Sequence, residues 1–311
     1  MAPLGAAKVG LFAAAGSAAV AYAGYFGGGS TGSLVSTVDK FAFSDDSRST
    51  LGTGLSAATQ YLAAMANSGT AGYFGGGDTG SEVDTVDKFA FPADSRSTLG
   101  TGLSGSRGNL AAMANSGTAG YFGGGYDGSS TVDTVDKFAF SDDSRTTLGT
   151  GLSASRSNLA AMANSGTAGY FGGGYTGSNV DTVDKFAFSD DSRTTLGTGL
   201  SAAIRNLAAM ANSGTAGYFG GGAGPVDTVD KFAFSDDSRT TLGTGLSAAT
   251  RILAAMANSG TAGYFGGGYA ATVVSTVDKF AFSDDSRSTL GTGLSSARYY
   301  LAGMANSETL A

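Results

Sequence analysis

Apolar and polar positions along this chain follow one pattern, repeated six times. A full copy, Gly169 to Ala216, reads GYFGGGYTGSNVDTVDKFAFSDDSRTTLGTGLSAAIRNLAAMANSGTA. The apolar run NLAAMAN (206–212) stops at Ser213-Gly214, and GYFGGG (217–222) follows at once, so the two predict a hairpin. TVDKFAF (182–188) alternates, with Val183, Lys185 and Ala187 on one side and Asp184, Phe186 and Phe188 on the other, the signature of a strand. Ser189-Asp190-Asp191-Ser192-Arg193 is a polar turn, and TTLGTGL (194–200) predicts a fourth strand. Glycine and β-branched residues interrupt every window long enough for a helix. The unit is a meander of four short strands.

The tyrosine of GYFGGG recurs at Tyr25, Tyr73, Tyr121, Tyr170, Tyr218 and Tyr264, at spacings of 48, 48, 49, 48 and 46 residues. Four antiparallel strands in a unit of this length are one propeller blade. Six copies predict an all-β, six-bladed propeller over residues 23–311, preceded by an Ala- and Gly-rich segment, 1–22. The register of the repeat is offset. The first GYFGGG has no standard strand before it, and the last inner-strand copy, YLAGMAN (300–306), has no GYFGGG after it. Pairing the two closes the ring and removes two exposed sheet edges. The rival arrangement has residues 11–22 supply the inner strand, but only the C-terminal copy keeps the repeat wording.

An apolar strand, a turn, an aromatic strand ending in double glycine and a strand ending in an aromatic together resemble the kelch repeat. The double glycine matches Gly27-Gly28, Gly75-Gly76 and their four counterparts, while Phe43, Phe91, Phe140, Phe188, Phe234 and Phe282 fall where kelch has tyrosine. The kelch tryptophan is missing, its place taken by Thr50 or Leu51 and their equivalents. The turn Ser44-Asp45-Asp46-Ser47-Arg48-Ser49-Thr50-Leu51 also resembles the sialidase Asp box, with Arg and Leu in place of its Gly and Trp. The near-identical wording of the six copies is similar to kelch-like repeats in structural proteins of tailed phages infecting marine cyanobacteria. That resemblance implies a virion component.

Composition narrows the chemistry. The chain has 52 Gly, no Cys, His or Trp, and a net charge of −7. Without a basic face, nucleic acid is not an expected partner. Residues 9–23 sketch a signal peptide behind Lys8, but the charged start is a single lysine and the run is too short to span a bilayer, so membrane insertion is not expected. Segment 1–22 is read instead as a docking segment toward other virion proteins. Copper chemistry of the galactose-oxidase kind needs His and Cys, and a sialidase-like site needs a Glu partner, where Glu82 and Glu308 are the only glutamates. Neither enzyme activity, nor a metal, nor a cofactor is expected. Phosphate-cradling loops open a helix, and here each GGG run precedes a strand. In the Ser-Asp-Asp-Ser-Arg turns, Asp46, Asp94, Asp143, Asp191, Asp237 and Asp285 are expected to accept backbone N–H groups as Asx turns do.

Differences among the copies carry the rest. The turn A-N-S-G-T-A and the Asp turn barely change, whereas the loops between second and third strands and the linkers between blades vary. Strands reverse at every turn, so both variable segments emerge on one face. That face carries Tyr61, Tyr126, Tyr175, Tyr269, Tyr299 and Tyr300 with Arg107, Arg156, Arg205, Arg251 and Arg298. Exposed Tyr and Arg on rigidly held loops are favoured at interfaces. The expected function is a non-enzymatic adhesive or structural virion protein whose variable face meets a host-surface glycan or protein. The alternative is a kelch-type protein-binding scaffold unrelated to a virion.

Overall fold

The computed structural model describes residues 22–307. Twenty-four strands form six antiparallel sheets of four, with no helix among the described residues. In a representative blade the inner strand is Ala208–Asn212, the second Ala216–Gly220, the third Val229–Ala233 and the outer Arg239–Thr241. The molecule is a six-bladed β-propeller. The strand Ala302–Asn306 pairs with Ala23–Gly27, from Ala23 opposite Asn306 to Gly27 opposite Ala302. Val38–Ala42 and Arg48–Thr50 complete that blade, so the ring closes through its C-terminal strand. The slot that residues 11–22 would have filled is taken. Residues 1–21, which contain nearly all of the proposed docking segment, lie outside the described residues.

One element differs from the sequence reading. TTLGTGL does not form a strand through 194–200; only Arg193–Thr195 does. A Cβ on Gly199 would lie 2.7 Å from the Asp181 carbonyl oxygen, so the chain leaves the sheet there and runs tightly beneath the second-to-third loop. Leu200 donates its N–H to the same carbonyl and turns back into the core.

Hydrophobic burial is organised between blades rather than within them. A representative cluster joins Met113, Tyr121 and Val135 of one blade to Phe171, Phe186 and Phe188 of the next. The sequence AGYFG follows from this arrangement. A Cβ on Gly27 would sit 2.6 Å from the Phe74 ring of the next blade, and one on Gly24 would strike Met256 of the preceding one. Only glycine lets both neighbours approach the second strand.

The uniform turns are uniform because they fasten blades together. Asp191 accepts the Tyr121 hydroxyl at 2.8 Å and the Lys137 ammonium at 2.7 Å, both from the preceding blade. The same trio recurs at all six seams, ending with Tyr264 and Lys279 on Asp46. Asp46, Asp94, Asp143, Asp191, Asp237 and Asp285 are therefore inter-blade clamps, a correction to the Asx-turn reading. The Asx role belongs to the aspartate before, where Asp190 accepts the Ser192 N–H at 3.0 Å. Around the A-N-S-G-T-A turns, the Ser116 N–H donates to Ser165 Oγ and the Gly166 N–H to Asn115 Oδ1, again from blade to blade.

Candidate functional site: an axial cup on the variable face

The linkers and the second-to-third loops meet on one face, as topology requires. Tyr126 exchanges backbone hydrogen bonds with Gly108, and Tyr175 with Ser157, at 2.8–3.1 Å. The Gly77 N–H reaches forward to the Arg107 carbonyl of the next linker, so each loop is tied to two linkers. Where the linkers turn into the inner strands, six residues form a closed collar round the axis. The Asn109 N–H donates to the Tyr61 carbonyl, Asn158 to Asn109, Asn206 to Asn158, Ile252 to Asn206, Tyr300 to Ile252 and Tyr61 to Tyr300, at 2.8–3.1 Å.

All six collar residues have left-handed backbone, with φ between 53° and 59°. Asparagine adopts this region readily, whereas a β-branched residue such as Ile252 is strained there. The strain is placed where the collar side chains line a cup of about 80 Å³ above a ring of six leucines. Its wall is uneven. Tyr61, Ile252 and Tyr300 are consecutive and make an apolar arc, while Asn109, Asn158 and Asn206 make an amide arc opposite. The Tyr61 and Tyr300 rings lie 4.0 Å apart between centroids, and Tyr299 packs on Tyr300 at 4.9 Å. Burial, reinforced by the neighbouring Tyr300, pushes the Tyr61 phenol well above its ordinary pKa. The cup thus presents neutral aromatic surface to one side and neutral hydrogen-bonding amides to the other.

The sequence-derived site residues divide into four groups. Tyr61, Tyr299 and Tyr300 come together at the cup. Arg205 lies over the Tyr175 ring at 4.6 Å and Arg251 over Tyr269 at 5.1 Å, two half-buried cation–π pairs outside the cup. Tyr126 donates its hydroxyl to the Gly128 carbonyl at its own loop tip.

Arg107, Arg156 and Arg298 are not on the surface at all. They are 2%, 1% and 0% exposed and pair with buried carboxylates, Arg107 with Asp136, Arg156 with Asp184 and Arg298 with Asp39, at 2.7–3.0 Å. Burial pulls each guanidinium below its ordinary pKa, against the attraction of its aspartate. Their expected exposure is corrected, and the repeat register gives the reason. In the five-residue linkers 57–61, 105–109, 154–158, 202–206, 248–252 and 296–300, these three occupy the third position, which points into the seam, whereas Arg205 and Arg251 occupy the fourth. Sequence reasoning missed Asn109, Asn158, Asn206 and Ile252. Their signal was available in the fifth linker position, which reads Tyr, Asn, Asn, Asn, Ile, Tyr round the ring.

Comparisons with protein-family models and with curated proteins give no match for this chain. What the fold defines is the class, a six-bladed β-propeller with repeated four-stranded blades.

Proposed function

We propose that this propeller is a non-enzymatic binding module whose axial cup receives the edge of a sugar ring from a surface glycan, and that it serves as a structural component of a tailed-phage particle. The observation that carries the binding reading is the uneven collar. A sugar presents an apolar face that stacks on aromatic rings and hydroxyls that bond amides, and the two arcs offer those two chemistries across one cup. The cation–π pairs Arg205–Tyr175 and Arg251–Tyr269 would flank a larger glycan on the same face. The virion role is supported by the resemblance of the repeat wording to kelch-like cyanophage proteins. The non-enzymatic reading is supported by the lack of His and Cys and by repeat aspartates already engaged in seams.

The test separates binding from folding. Replacing Tyr61, Ile252 and Tyr300 with Asn makes the collar uniform and keeps its left-handed backbone. Relieving Ile252 returns about 1 kcal/mol against the lost Tyr61–Tyr300 ring contact and the lost burial of Ile252. The ring should therefore stay folded with a modestly changed melting temperature, while glycan-array signal should fall at least about tenfold, the effect of losing roughly 1.4 kcal/mol of stacking. Unchanged glycan binding in this variant would remove the cup from the proposal. Particle membership is tested by stoichiometric recovery in purified virions. Absence there, with recovery of a soluble host partner, would replace the virion reading by the protein-binding scaffold.

A further inference from the structure

Each seam buries one aspartate of the third strand. Its Oδ1 accepts a threonine hydroxyl from the outer strand, as Thr147 donates to Asp136 at 2.6 Å. Its Oδ2 accepts both the N–H and the hydroxyl of the serine just before the linker, as from Ser104 at 2.8 and 2.9 Å. At three seams Oδ2 also receives a guanidinium, from Arg107, Arg156 or Arg298. That guanidinium further donates to the carbonyl of the second-strand phenylalanine, Phe122, Phe171 or Phe26, at 2.9–3.4 Å.

At the other three seams the same linker position is Thr59, Ile204 or Thr250. Asp87, Asp230 and Asp278 keep the serine and threonine bonds, with side chains only 6–7% exposed. Beside each lies a cavity, of about 30 Å³ at Asp87, 50 Å³ at Asp230 and 30 Å³ at Asp278. The equivalent phenylalanines, Phe74, Phe219 and Phe265, line these cavities. The outer-strand arginines Arg96, Arg239 and Arg287 approach only the far oxygen, Oδ1, at 3.5–3.7 Å. The cavity-side oxygen has no cation. Each cavity rises to exposed residues of the variable face, Ala57 and Thr79 at the first.

We propose that these three pockets are guanidinium-binding sites, filled by a free guanidinium compound or by an arginine side chain of a partner docked on the variable face. The protein's own three filled seams show the geometry of the occupied state. A guanidinium fits because it is planar, permanently charged and able to donate to a carboxylate and a carbonyl at once. A bulky or anionic group is rejected by the cavity size and by the buried carboxylate.

Calorimetric titration with methylguanidinium should give a stoichiometry near three for the wild type. Thr59→Arg places the chain's own guanidinium in the first pocket and should lower it to two. The combined variant Thr59→Arg/Ile204→Arg/Thr250→Arg should abolish binding and raise the melting temperature. Sodium and tetramethylammonium chloride at equal concentration should give no heat. Should the triple variant not fold, the single variant still decides. A capped Gly-Arg-Gly peptide that also binds supports the side-chain source; binding of the small ion alone supports the free-compound source. No methylguanidinium binding to the wild type, or a stoichiometry unmoved by Thr59→Arg, overturns the proposal.

Discussion

Arg156 and Thr59 hold the same place in the repeat, and the contrast between them predicts what either can be changed into. Truncating one member of a buried ion pair costs about 3–5 kcal/mol, because the other charge stays behind in a dry site. At the Arg156 seam a substitute cation is at hand. Arg193 donates to the Gly151 carbonyl at 3.0 Å and can turn to Asp184 as Arg96 turns toward Asp87 at 3.6 Å. Arg156→Thr should therefore lose only about 1–2 kcal/mol, below the usual range. Arg156→Thr with Arg193→Ser should lose more than the two single changes added, since each removes the other's replacement. Urea unfolding midpoints of the three variants measure both effects. At this scale the sequence was read too coarsely. Five arginines were grouped by type and by segment, while a one-residue difference in linker register decides which are exposed and which enter a seam.

Among the elements, the inner strand Ala302–Asn306 bears the most on integrity, because it joins the first blade to the sixth. Without residues 299–311, Ala23–Gly27 loses its partner and presents an unpaired edge, and the collar loses Tyr300. Such a chain should show no cooperative melting near the wild-type temperature and should scatter light on warming. Adding a synthetic peptide of residues 299–307 should restore the transition. A truncated chain melting unchanged would mean that closure does not depend on this strand. The closing strand was legible from the offset of the repeat alone, since one copy was left over at each end. The outer strand was less so. TTLGTGL looks like one run, and its break depends on the Gly199 backbone passing against Asp181, a contact made across the blade and invisible to local pattern.

For the molecule as a whole, six repeated tyrosine–aspartate–lysine clamps make alkaline pH the condition that tests every seam together. Tyr25, Tyr73, Tyr121, Tyr170, Tyr218 and Tyr264 are held protonated well above the ordinary value of 10.0, chiefly by burial and then by the aspartate each one bonds. In the unfolded chain they ionise near pH 10. Their contribution is complete below that pH and is lost as pH climbs from there toward the folded-state values. Melting temperature should hold from neutrality to about pH 9 and then fall steeply. The phenolate absorbance of these six should appear together with loss of the β-sheet signal rather than before it. Ionisation of the six in a still-folded ring would contradict the clamp. The fold at this scale was open to reading because one pattern is stated six times. The cup was not, because it arises from three departures far apart along the chain, Tyr61, Ile252 and Tyr300, each unremarkable in its own repeat and made neighbours only by closure of the ring.

The strand Ala302–Asn306 completes a blade whose other three strands come from the opposite end of the chain, and its wording is almost that of every other inner strand: AGMAN against AAMAN. The slot beside Ala23–Gly27 therefore does not distinguish its own chain's strand from that of a second copy. In dilute solution the tether decides, holding the resident strand at an effective concentration of order millimolar. Where many copies are made side by side, the last strand of one molecule can complete the first blade of its neighbour, and the same bonds that shut a ring then link rings into chains.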